Sequence, residues 1–287
     1  MAADRAVVSL ATKSRSEGLL DLERSLDYAG FRGARLIWRP GEWPAGAPAH
    51  EDVPFAFKAF CLEDARRRGH GAALWVDANA VVVGSLDPLF EQIEEHGYVL
   101  FANRDNRLGQ WASDEAIAAV GLAREAALLL REVNAAALGL RFSHPVAKQF
   151  LDGWLAEARK ATVFRGTAGE YDAKRDFQAL KWNAEGRASP DPRVRGHRFD
   201  QTAAGIVAHR HGMRLTTSGL QSASRLRSVL PETAIVKWRG REPILGLRFD
   251  LMLVRMRQAM SRKHRRPRDT AGIRSAPGNR RSKRPPQ

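Results

Sequence analysis

The sequence predicts an α/β fold, a mostly parallel sheet with helices on both faces. Three observations carry that expectation. Short apolar, β-branched runs such as VVSL, LIW, ALWV and YVLF read as buried strands. Between them lie stretches of helical periodicity that open on capping residues and close on glycine. The two kinds of segment alternate, and alternation of this kind specifies parallel pairing through crossover helices. A chain of 287 residues buries a sizeable core without disulfides or metals.

The elements follow in order. AVVSLAT (6–12) is the first strand, apolar throughout. A helix follows, with Leu19, Leu22 and Leu26 on one face and Gly30 as its stop. ARLIW (34–38) is the second strand. Residues 39–54, with Pro40, Pro44, Pro48 and Pro54, form a loop. A helix runs from near Phe55 to Gly69, and AALWVDANAVVV (72–83) begins as a central strand. Asp87 is expected to cap the next helix, with Pro88 in its first position, Leu89, Phe90 and Ile93 facing inward, and Gly97 ending it. YVLFA (98–102) is a strand, and Ser113 before Asp114 and Glu115 marks a helix start. After Pro145 a long helix turns Val146, Phe150, Trp154 and Leu155 inward. Asp200 opens another helix that Gly212 ends, and MRLTT (213–217) and TAIVKW (233–238) are late strands. There is no internal repeat.

Charge is unevenly placed. Residues 255–287 carry twelve Lys or Arg against one acid, Asp269, which is +11 of the net +15 and leaves only +4 for the rest. The expected organisation is a folded domain over 1–250 and a basic tail over 251–287 that lacks apolar periodicity and is expected to be disordered. Such a tail meets an anionic membrane surface or nucleic acid by plain electrostatics. Cys61 stands alone among Phe57, Phe60 and Leu62, which suits core packing, with a catalytic thiol as the alternative. One cysteine excludes an internal disulfide framework and suits a reducing compartment. No apolar run spans a membrane and the N-terminus lacks a signal-peptide pattern. The expectation is a cytoplasmic protein, peripheral at the inner face of the membrane where the tail meets lipid.

In open α/β sheets ligands bind outside the carboxyl ends of the strands. Asp77 and Asn79 stand there, and two apart on an extended chain their side chains point the same way. An acid and an amide oxygen placed together suit a hard divalent cation that also holds phosphate oxygens, and a departing diphosphate needs such neutralisation. A turn cap is an equal reading of the same acid. His209 and His211, two apart on a helix, face different directions and suit the helix dipole or solvent better than a metal. Trp38, Trp75 and Trp238 lie on strands and read as core. The first strand is followed by TKSRSEGLL, with a single glycine, which excludes a dinucleotide-binding turn, and neither a Walker loop nor a Gly-x-Ser-x-Gly elbow is present.

The run LWVDANAVVVGSLDPLFEQIEEHGY resembles the segment around the DxD motif of glycosyltransferases of the GT-A fold. VVSLAT, SLDYAGF and LIW resemble the first βαβ unit of these enzymes, and VPFAFKAFCLEDARRRG resembles the helix before the DxD strand, with Phe57 and Lys58 as its aromatic-lysine pair. REVNAAALGL resembles the strand lining the donor-sugar pocket, and HRFDQTAAGIVAHRHGM resembles the helix start beside the transferred sugar. The resemblance covers roughly residues 6–240 and is distant, nearest to the glycogenin-like members. It implies a Rossmann-like mixed sheet and transfer of a hexose from a nucleotide-sugar donor to a glycan, lipid or protein acceptor, with surface polysaccharide synthesis as a setting.

Residue by residue, the resemblance puts Asp77 and Asn79 on manganese or magnesium and on ribose or phosphate. It puts Thr12 by the nucleoside, Lys58 toward the phosphates, and Asn134 and Ala135 in the donor-sugar pocket. Asp200 and Gln201 fall against the sugar or acceptor. A cap at Asp200, worth about 1 kcal/mol, is a sufficient structural reason for that acid and does not exclude the contact. Trp111, in NRLGQWASDE, is a candidate to stack on a sugar ring if exposed. Two departures stand out. The second acid of DxD is Asn79, and from Pro231 onward the only histidine is His264, in the tail. In place of an earlier one IVKWRGR offers Lys237, Arg239 and Arg241 as cations for phosphate. Two rival readings remain: a catalytically inactive nucleotide-sugar-binding relative, and a basic nucleic-acid-binding protein acting through the tail.

Overall fold

The structure is a computed structural model that describes residues 4–12, 16–223, 229–230, 232–238 and 256. Arg239, Arg241, the boundary at residue 250 and the tail, apart from Met256, lie outside the described residues.

In chain order the elements are β1 (Arg5–Leu10), α1 (Ser16–Tyr28), β2 (Ala34–Trp38), α2 (Phe57–Arg67), β3 (Ala72–Val76), β4 (Ala80–Val82), α3 (Asp87–His96) and β5 (Tyr98–Arg107). They continue with α4 (Asp114–Ala118), α5 (Arg124–Leu129), β6 (Arg131–Arg141), α6 (Pro145–Lys160), α7 (Thr162–Arg165), α8 (Ala173–Lys181), α9 (Phe199–Arg210), β7 (Leu220–Ala223) and β8 (Ile235–Trp238).

Five strands form the central sheet in the order β2-β1-β3-β6-β5. β1 pairs parallel with both β2 and β3, and β6 runs antiparallel between β3 and β5, so four of the five strands point one way. Alternate residues of the strands enter opposite cores. Val8, Trp75 and Leu138 face α2, α6 and α9, whereas Val7, Leu74 and Ala137 face α1 and α3. Helices thus cover both faces, as alternation predicts. A second sheet, β4-β8-β7, closes against α1.

Local expectations hold where they rest on turn chemistry. Ser113 caps α4 by accepting from the Ala116 N–H, and Gly97 ends α3 with φ of 84°. Two expectations are corrected. Asp87 does not cap α3; it is the first helical residue, and its N–H donates to Ser85 Oγ at 3.1 Å. MRLTT is not a strand. It meets the sheet at one bridge, Thr216 to Phe101, because the chain then bends through Gly219 (φ 94°) to feed β7 in the other sheet. Cys61 is fully buried in the larger core, and burial pushes its thiol up, which agrees with packing rather than nucleophilic chemistry.

Candidate functional site

The strand order reverses at β1, with β2 on one side of it and β3 on the other. A crevice at the carboxyl ends of such strands is where open α/β sheets bind ligands. A cleft of about 290 Å³ opens there, lined among others by Thr12, Phe55, Lys58, Asp77, Asn79, Lys181, Arg198, Asp200, Gln201 and Lys237. A larger cavity, about 540 Å³, lies at the amino end of β5 beside His96 and Arg214, but among the described residues no carboxylate lines it.

Asp77 leaves β3 directly, its N–H donating to the Ala136 carbonyl at 2.8 Å. The chain then turns, with Ala80 N–H donating to Asp77 O at 2.9 Å, before entering β4. Asp77 and Asn79 therefore sit in a turn rather than on an extended strand, and the reason is the transfer of the chain from one sheet to the other. Both still line the cleft. Gly18 of α1 permits this turn: a Cβ there would lie 2.7 Å from the Ala78 carbonyl oxygen.

The centre of the site is a buried ammonium between two carboxylates. Lys58, on the first turn of α2 and 4% exposed, places its Nζ 2.7 Å from Asp77 Oδ1 and 2.7 Å from Asp200 Oδ2. It also donates to the Ala135 carbonyl at 2.9 Å. Asp77 Oδ1 further accepts from the Trp75 indole at 3.0 Å, and its Oδ2 lies 3.3 Å from Lys237 Nζ. Burial alone would lower the Lys58 ammonium, but the Asp200 and Asp77 carboxylates outweigh it and hold the group charged. Burial likewise opposes ionisation of Asp77, yet Lys58 and Lys237 bring it down to about 2. Asp200 is raised instead, first by burial and then by the neighbouring Asp77 charge, with Lys58 only partly compensating. Two carboxylates sharing one cation are thus driven apart in proton affinity.

Asp200 does not cap α9. Arg198 holds the cap position without a side-chain bond, and the carboxylate is drawn to Lys58 instead. Gln201 lines the cleft and donates to Glu132 Oε1 at 3.4 Å. Ala135 contributes its carbonyl, its side chain being sealed in the core. Asn134 lines a separate cavity of about 180 Å³ with Asn103, Arg104 and Thr217, because successive residues of β6 face opposite sides of the sheet. Trp111 is buried rather than exposed, its ring covered by the Arg198 guanidinium at 3.6 Å, so it has no free face for a sugar. His209 Nε2 donates to the Arg131 carbonyl at 2.8 Å, consistent with a packing role.

Several residues of the cleft carried no sequence signal. Arg198 is fixed between the Trp111 ring and the buried Glu132 carboxylate, 3.1 Å away. Burial, partly offset by Arg198 and Asn103, raises Glu132 to about 7. Phe55 (φ 62°) and Phe199 (φ 36°) both line the cleft in the left-handed backbone region. For bulky residues that conformation stores about 1–3 kcal/mol each and clusters at functional sites.

The donor set does not suit a divalent cation. Among the described residues no three His, Cys, Asp or Glu side chains converge as ligands. The oxygens of Asp77 already face two ammonium groups, and magnesium or calcium requires an oxygen-rich shell. Among the described residues the histidine of the cleft is His197, buried and engaged by the Ser113 N–H at 3.2 Å and the Phe164 carbonyl at 3.3 Å.

No protein-family description and no curated protein matches the sequence. Among solved structures the chain is similar to the apo form of WbbM, a bifunctional glycosyltransferase, with 8% identity over 90% of this chain and 52% of that one, at a TM-score of 0.46. It is similar to mouse xyloside xylosyltransferase 1 in its apo form, with 11% identity over 84% of this chain and 100% of that one, again at 0.46. It is also similar to the galactosyltransferase LgtC in complex with donor and acceptor sugar analogs, with 12% identity over 88% and 95% and a TM-score of 0.36. The chain spans about half the length of WbbM. These overlaps are loose, and the mixed α/β architecture stands on the strand order and registers of this chain.

Proposed function

We propose that this chain is a glycosyltransferase of the GT-A fold that takes a sugar from a nucleoside-diphosphate sugar. The observation that carries the reading is the convergence of Lys58, Asp77 and Asp200, with Lys237 beside them, at the switch point of the sheet. The DxD-like and Asp-Gln segments lie far apart in sequence, and that both line one cleft supports the reading.

In the reaction the bond between the anomeric carbon and the diphosphate oxygen breaks. The acceptor hydroxyl oxygen bonds to that carbon and its proton must leave. Asp200, raised in proton affinity and set beside Gln201, is the carboxylate suited to receive it. Lys237 faces the cleft as a cation for a departing diphosphate, with Arg198, held by Glu132, lining the same space. Thr12 stands after β1 where the nucleoside would lie, and Lys58 fixes the two carboxylates, its ammonium donors being met by oxygens of Asp77, Asp200 and Ala135. Asn134 and its polar cavity are left for a more distant part of the donor or acceptor. The acceptor is a glycan, lipid or protein, with surface polysaccharide as a setting. Among the described residues no helix is long and apolar enough to cross a membrane; contact of the basic tail with an anionic membrane remains part of the proposal.

A screen of UDP- and GDP-sugars for donor hydrolysis and for transfer tests the reading. Turnover of one donor, lost on Asp77→Asn, supports it. Binding without turnover assigns the chain to the inactive relatives, and no binding by any donor removes the proposal.

A further inference from the structure

The chemistry of the cleft differs from that of a metal-assisted transferase in a definite way. The Lys58 ammonium has three donors, and three oxygens surround it at 2.7, 2.7 and 2.9 Å, from Asp77, Asp200 and Ala135. It is a fixed, enclosed cation at the place between the carboxylates. Lys237 is different. It approaches the second oxygen of Asp77 from the cleft side at 3.3 Å, and its side chain is 30% exposed. Lys181 and Arg198 line the same space. Arg198 is already matched by the Glu132 carboxylate, so the cations set against Asp77 and Asp200 are Lys58 and Lys237. A divalent ion on Asp77 would sit against two ammonium groups and repel both.

We infer that the cleft binds the diphosphate of its donor without a divalent cation, with Lys58 as the internal counter-ion of Asp77 and Asp200 and Lys237 as the cation that moves from Asp77 to the phosphate oxygens. The inference rests on the nucleotide-sugar reading. Lys237 is the residue free to shift, because Asp77 keeps Lys58 and the Trp75 indole as partners when Lys237 leaves. Asn79 then needs no second negative charge, which accounts for an amide at the position where a metal site would want a carboxylate.

The test is calorimetric titration of the full chain with UDP and, separately, GDP, in EDTA and in manganese. The expected result is binding of one nucleotide with an affinity that agrees within about twofold between the two conditions. Lys237→Ala should weaken that binding about tenfold in both, and Lys237→Arg should recover most of it. The far-ultraviolet circular dichroism of each variant checks that the fold is kept. Binding that appears only with manganese overturns the inference and leaves the transferase reading standing. Binding unaffected by Lys237→Ala overturns the role of Lys237. Absence of binding under both conditions overturns the transferase reading and the inference with it.

Discussion

Lys58→Met is the most informative perturbation of this protein. Methionine keeps the packing of the lysine stem but removes the charge between Asp77 and Asp200. Breaking a buried ion pair by deleting one partner costs about 3–5 kcal/mol, because the other charge is left uncompensated. Here two carboxylates are left facing each other. Asp200 is already raised toward protonation, and taking up a proton relieves the repulsion, so the expected loss lies near the low end, about 3 kcal/mol at pH 7. For a domain of this size each kcal/mol moves the melting temperature by about 2–4 °C, which gives a drop of about 6–12 °C.

The pH dependence has a definite sign. In the variant Asp200 has a folded pKa above its unfolded value, so its ionisation opposes folding. That penalty is absent below the ordinary carboxylate range and grows as pH rises through it. In the native protein Asp77, held at about 2, contributes stability that is present above the ordinary carboxylate pKa and lost as pH falls toward 2. Both effects make the difference between native and variant larger at pH 7 than near pH 4. Thermal unfolding followed by circular dichroism at the two pH values reads it. A drop of less than about 2 °C at pH 7, or the same drop at both, would refute the reasoning that Lys58 neutralises two ionised groups.

Asp77→Asn preserves shape but removes the charge that Lys58 and Lys237 share. Transfer should fall by about 100-fold with an unchanged circular dichroism spectrum, and retained activity in a donor-turnover assay would place the site elsewhere. Gly18→Ala puts a Cβ 2.7 Å from the Ala78 carbonyl and must displace the Asp77–Asn79 turn. It should cost about 1–3 kcal/mol in urea denaturation and weaken nucleotide binding, and no effect on either would mean that α1 does not set the turn. Glu132, at about 7, opposes folding increasingly as pH rises from its ordinary 4.5, whereas buried His197, at about 4, acts in the opposite sense by favouring folding as pH rises. Glu132→Gln should therefore make the melting temperature climb more steeply with pH between about 4.5 and 7 than it does in the native protein; an unchanged profile assigns the titration to another group.

Much of the fold was legible because it is written in local chemistry. Leu19, Leu22 and Leu26 mark the buried stripe of α1, Ser113 the cap of α4, and Gly97 the end of α3, and each of these acts within one or two turns. Of the candidate site, Thr12, Lys58, Asp77, Asn79, Asp200 and Gln201, singled out by type and position, all line one cleft. What failed were inferences that treated a residue by its neighbours in the chain. Asp200 has the position and chemistry of a cap but is pulled to Lys58, and Trp111 looks like an exposed loop residue but lies under Arg198. Arg198 and Glu132 lie inside the quoted segments without being singled out by them, and their roles come from each other.

By itself, then, the amino-acid order determined the alternation of strands and helices, their main boundaries, and an acid and an amide placed after a central strand. Periodicity, capping and turn propensity are properties of neighbouring residues. Only the tertiary structure decided that β6 inserts antiparallel beside β3, bringing the Ala135 carbonyl to Lys58, 77 positions away, and that a lysine rather than an open space stands between the two carboxylates. Charge neutralisation depends on distance in space, to which spacing along the chain gives no access.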